Sequence, residues 1–191
     1  MNDIVVARRP LAFAAVAAGC LLLVARPPLL ASVAEPVTVL MALFGALFAV
    51  GVLWPTAGGA PNQLPRGQLA GVMAVGVATF AVGRILGGGE APFHAPASAV
   101  MRLIVLNSVA AVAEEAFFRR LAYGALAPGG VIVAVVGSAA LFALVHVTIY
   151  GWWVLPLDLA AGLMLSWQRW AAGSWKVPAV THVLANVLAV V

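Results

Sequence analysis

The stretch "NSVAAVAEEAFFRRLAYG", Asn107–Gly124, sets two adjacent carboxylates, Glu114 and Glu115, between small apolar residues and a pair of phenylalanines. The chain has only six acidic residues among 191, so a third of its negative charge sits in one greasy run. The surrounding composition decides how that run is read. The protein is 64% hydrophobic and 8% charged, with a mean hydropathy of +1.11, whereas a soluble domain carries about 25% charged residues. Too little polar surface remains to cover a water-exposed globule, so lipid is the solvent. The stretch is then a membrane helix carrying two expensive charges.

Working outward, runs of the ~17–25 apolar residues that span a bilayer recur at about 10–26, 37–54, 68–86, 97–120, 130–150, 154–171 and 175–191. Pro27-Pro28, "PTAGGAPNQLPRG", "GGGEAPFHAP", "APGG" and "AAGSWK" break them, with Trp152, Trp153 and Trp175 placed as interfacial anchors. The expected fold is all-α: a polytopic helix bundle of about seven transmembrane helices, residues 1–191 forming a single integral membrane domain. With the N-terminus inside, Arg8, Arg9, Arg66, Arg119, Arg120, Arg169 and Lys176 fall on the inner side. Arg26, Arg84 and Arg102 fall outside. The positive-inside bias therefore favours a cytoplasmic N-terminus. Small size and an Ala/Val-rich composition point to a bacterial inner membrane.

Composition also excludes classes of function. The net charge of +4 comes from scattered cations without an aromatic-basic patch, so nucleic acid is not an expected partner. One cysteine, Cys20, rules out an internal disulfide and a cysteine metal cage. Arg8-Arg9, an apolar run and "ASVA" have the form of a signal peptide cleaved near Ala34, and "AAGC" faintly that of a lipoprotein site. A retained first helix is the simpler reading.

Ionisable groups inside spans mark functional sites by default. Here they are Glu114, Glu115, His146, Asp158 and His182, accompanied by Asn107 and Asn186. Glu115 and Arg119 are i,i+4 on one helix face, in the favourable acid-first order. Glu114 is turned ~100° away. One carboxylate is thus free for chemistry while the other is neutralised. Phe142 and His146 are again i,i+4, as are His182 and Asn186. At 1.5 Å per residue, Glu114, His146 and His182 share a depth only if the fourth helix continues past its arginines toward Leu126, and their common cavity is expected to open to the inner side. Asp158, after "WWVLPL", reads as the start of the sixth helix. His94 has no partner in its Gly/Pro-rich loop, the glycines at 87–89 read as linker, and neither Ser108 nor Ser138 has a nearby histidine to activate it.

Taken together, "EEAFFR" (114–119), "FALVH" (142–146) and "HVLAN" (182–186) resemble the CPBP family. These are type II CAAX-prenyl endopeptidases and bacteriocin-processing or self-immunity proteins, also called the Abi family. The resemblance covers about 100–191. It implies a glutamate-type intramembrane protease in which Glu114 and His146 activate water, while His182 and Asn186 donate to the oxyanion. Arg119 holds the acidic pair, with Glu115 and Phe142 in support. Arg120 departs from the family pattern, in which glycine commonly follows the motif arginine. The resemblance implies no cofactor, although Glu114, His146 and His182 also have the composition of a two-His, one-carboxylate zinc site. A membrane-anchored protein or peptide precursor is the implied substrate. Some members of the family work as non-catalytic regulators or immunity proteins, often after losing a motif residue, and none of these motif residues is lost here. A proton-relay transporter would show internal repeats, and none is visible.

Overall fold

Every element of the computed structural model, which describes residues 9–54, 64–86 and 96–190, is helical. In chain order these are α1 (Arg9–Val24), α2 (Arg26–Ala31), α3 (Pro36–Leu53), α4 (Arg66–Leu86) and α5 (Ala97–Glu115). A π-helical segment (Ala116–Ala122) joins α5 to α6 (Tyr123–Leu126), followed by α7 (Val131–Tyr150), α8 (Leu155–Ala172) and α9 (Lys176–Val190). Arg8, the glycines at 87–89 and His94 lie outside the described residues.

Among the described residues, four helical stretches are long and apolar enough to cross a membrane: Pro36–Leu53, Gly67–Leu86, Ala97–Gly129 and Val131–Tyr150. Arg9–Val24 and Lys176–Val190 are apolar but shorter. Helix α8 has the length, yet Asp158, Gln168 and Arg169 make it more polar. The chain is an integral membrane protein built as a helical bundle. Its outer surface carries Leu53, Ile85, Leu86 and Ile132, each at least three-quarters exposed, as a lipid-facing surface requires.

The stretch from Ala97 to Gly129 positions everything else. It runs on through the arginines, as the shared depth of the three polar helices required. Its middle is underwound. A π turn adds a residue per turn and frees local carbonyls, a feature concentrated at functional sites. The Arg119 carbonyl accepts from Arg169 Nε of α8 at 3.0 Å. Arg120 turns the other way and donates to the carbonyls of Gly51 and Trp54, the orphan acceptors at the C-terminus of α3.

That docking depends on Gly51. A Cβ there would meet the Ala116 carbonyl carbon and oxygen at 2.6 Å, so only a bare backbone lets α3 approach the π segment this closely. The core forms around the contact, from Ala12, Val16 and Leu23 of α1, Leu43, Phe44 and Leu47 of α3, Phe117, Phe118 and Leu121, and Phe142 and Val145 of α7. Helix α1 is therefore part of the packed bundle. Helix α8 packs along α7, and α9 along α5 and α4. Between α7 and α8 the chain turns sharply at Gly151, whose φ of 88° suits glycine.

Arg119 is thus not an interfacial charge, as the inner-side tally had it. Arg119 is fully buried, and Arg120 is spent on α3. Without Arg119 the inner side keeps Arg8, Arg9, Arg66, Arg120, Arg169 and Lys176 against Arg26, Arg84 and Arg102, so the bias keeps its sign but weakens.

Candidate active site

Glu115 and Glu114 diverge where α5 meets the π segment. Glu115 is wholly buried. Its Oε2 lies 3.2 Å from Arg119 Nε, an ion pair whose alignment falls short of a hydrogen bond, while Oε1 accepts from His182 Nδ1 at 3.0 Å. The Arg119 guanidinium stands over the Phe142 ring at 4.6 Å and near Phe118 at 5.8 Å. Its remaining N–H groups find no hydrogen-bond acceptor among the described residues, so Glu115 and the aromatic faces are its compensation. Phe142 also packs against His146 at 4.5 Å and His182 at 5.9 Å. The Phe-x-x-x-His spacing places a platform one turn from a histidine, and both histidines and the arginine use it.

Glu114 faces the other way, into a cavity of about 630 Å³ that is also lined by His146, Asp158, His182, Asn107 and Asn186. Its Oε1 is 4.0 Å from His146 Nε2. The hydrogen bond of His146 Nδ1 to the Phe142 carbonyl, 2.7 Å long, fixes the tautomer, because a carbonyl only accepts. Nδ1 carries the hydrogen, and in the neutral ring Nε2 presents a lone pair toward Glu114. Two acceptors facing each other across 4.0 Å need hydrogens between them. A water molecule donating one hydrogen to each satisfies both and leaves its oxygen lone pairs free.

Helix α9 supplies the opposite wall. His182 is anchored by Glu115, and one turn later Asn186 Nδ2 donates to the Asn107 carbonyl of α5 at 3.1 Å. An amide NH₂ has two hydrogens, so the second stays available to the cavity.

Two expectations change. Asp158 is not merely a helix start: it lines this cavity from α8, with Oδ2 3.9 Å from His146 Nδ1. The only sequence signal was a charge one turn inside an apolar helix, which a helix N-terminus explains equally well. The mouth also lies at the other end. Besides the polar groups, the lining includes Arg26, Arg84, Trp153, Val154, Leu188 and Ala189. With alternating helix directions these all sit at the end where α1 and α4 finish and α8 begins, opposite the Arg120–Trp54 contact. The end expected to be open is plugged by fully buried Phe117, Phe118, Arg119 and Leu121. The first three spans, read as generic, contribute cavity wall through Phe44, Phe80 and the two arginines.

Among the described residues no three His, Cys, Asp or Glu side chains converge closely enough to hold a metal ion.

The fold and site together define a class: a polytopic helical membrane protein with a carboxylate–imidazole pair facing a cavity within the bundle. Residues 96–188 match the profile of the Rce1-like family, type II CAAX prenyl endopeptidases, and over that segment the chain is similar to it. Glu114, His146, His182 and Asn186 all fall inside the match. The family consists of peptidases. Neither curated proteins nor solved structures gave a match.

Proposed function

We propose that this protein is an intramembrane endopeptidase that hydrolyses a peptide bond with water activated by Glu114 and His146. The observation that carries the reading is the 4.0 Å gap between Glu114 Oε1 and His146 Nε2, two acceptors facing one cavity. Amide hydrolysis needs an activated nucleophile, donors for the developing oxyanion and a proton for the leaving amine. Water held in the gap attacks the scissile carbonyl while the Glu114–His146 pair takes its proton. That proton then passes to the amine as the C–N bond breaks. His182 and Asn186 face the oxyanion. Asn186 offers its free N–H, and His182 donates from Nε2 when the ring carries both protons, with Glu115 as counter-charge. No step is assigned to a cofactor or metal.

The substrate is a membrane-anchored protein or peptide precursor, or one tagged at its C-terminus, entering from the lipid bilayer. The chain resides in a bacterial inner membrane with its N-terminus in the cytoplasm. In that orientation the mouth beside Arg26 and Arg84 faces outward, toward exported segments. The test is comparative terminal proteomics of membranes from cells expressing the wild type, Glu114→Gln or His146→Ala at matched levels. New C-termini present only with the wild type are expected. Identical termini in all three, with both variants still supporting the gene's phenotype, would leave a non-catalytic regulator or immunity protein instead.

A further inference from the structure

Asp158 belongs to none of the three motifs, yet it completes an arrangement around His146. The imidazole stands between two carboxylates, Glu114 Oε1 at 4.0 Å from Nε2 and Asp158 Oδ2 at 3.9 Å from Nδ1. Asp158 Oδ2 is buried and accepts no hydrogen bond among the described residues. A first-turn position in α8 makes a carboxylate tolerable through the helix dipole. It does not explain why the buried oxygen points at a ring on another helix. A buried anion without a partner is costly, and protonated His146 is the cation within reach. Arg26 and Arg84 line the same cavity, but among the described residues neither forms an ion pair with Asp158.

We infer that Asp158 is a positioning residue that makes His146 the resting place of the transferred proton. The inference rests on the proposed hydrolysis. As water attacks, its O–H bond breaks and an Nε2–H bond forms, giving an imidazolium. Its Nδ1–H stays on the Phe142 carbonyl, and the ring's charge lies between Asp158 at 3.9 Å and Glu114 on the opposite side. When the C–N bond breaks, the Nε2 proton moves to the amine and the ring returns to neutral. Asp158 neither gains nor loses a proton. The other groups facing the ring are Tyr150 of α7, stacked on it at 6.0 Å, His182 of α9 across Phe142, and Arg119 beneath Phe142 from the π segment.

The experiment is a histidine-ring NMR titration of the full chain in nanodiscs, with His94, His146 and His182 assigned by single His→Gln variants. Asp158→Asn removes the charge and keeps the shape. The titration midpoint of His146 is expected to differ between this variant and the wild type, because an opposite charge at this range is lost. The His182 midpoint should stay in place, and Asp158→Glu should reverse most of the difference. Where substrate is turned over, the acid limb of the kcat–pH profile should move by the same amount with little change in KM. A structural role alone would lower activity without moving that limb. An unmoved His146 midpoint in Asp158→Asn overturns the inference. If that variant fails to reconstitute, Asp158→Ser carries the same reading. The titration needs no substrate, so its outcome is independent of whether proteolysis is found.

Discussion

The two adjacent glutamates, both buried, differ in what their carboxylates face. Glu115 is sealed between Arg119 and His182, and Glu114 opens to the cavity. Glu115→Gln is therefore expected to be a stability variant. It leaves the buried Arg119 charge unpaired, at about 3–5 kcal/mol, which a thermal unfolding curve in detergent would register as a large drop in Tm. Glu114→Gln should unfold near the wild-type temperature. Asn186→Ala removes one proposed oxyanion donor and should lower kcat by about 10²–10³-fold, with the fold intact. An Asn186→Ala protein that unfolds instead would assign the residue to its Asn107 contact alone. Much of this was legible beforehand, because i,i+4 spacing reports which side chains share a helix face. Asp158 was not. Spacing within one helix says nothing about how that helix is rotated toward its neighbours.

At the level of elements, the decisive object is the π segment, which leaves no mark in composition. An extra residue per turn is still a run of Ala, Phe, Leu and Arg. That is why Arg119 reads as an interfacial charge when the helix in fact carries it inside. The segment holds because Gly51 admits it and Arg120 caps α3. Gly51→Val should push α3 off Ala116, costing about 1–3 kcal/mol by overpacking. Activity should fall with stability, since Glu114 and Glu115 immediately precede the displaced turn. A Gly51→Val protein with unchanged Tm would show that α3 does not need this approach. The fold class needed none of this detail. It followed from too few charges to wet a surface.

Across the whole molecule, the cavity gathers groups from both halves of the chain and opens at the end marked by Arg26, Arg84 and Trp153. Hydropathy and charge bias place spans and sides, but a mouth depends on which end of the bundle is filled by side chains. Phe117, Phe118, Arg119 and Leu121 fill the other end. In a Cys20→Ser background, a cysteine replacing Trp153 should react with membrane-impermeant maleimide added to intact spheroplasts, as the N-in orientation requires. Labelling only in inverted vesicles would reverse the orientation while leaving the site unchanged. The central claim is that Glu114 and His146 activate water for peptide hydrolysis. The most direct measurement of it is single-turnover cleavage in nanodiscs of a precursor identified by its new C-terminus. Wild type would be compared with Glu114→Gln and His146→Ala, each with and without chelator. The account predicts that each substitution lowers the rate by at least about 10²-fold, while the wild-type rate survives chelation. Cleavage retained in both variants, or abolished by chelator and restored by zinc, would contradict it.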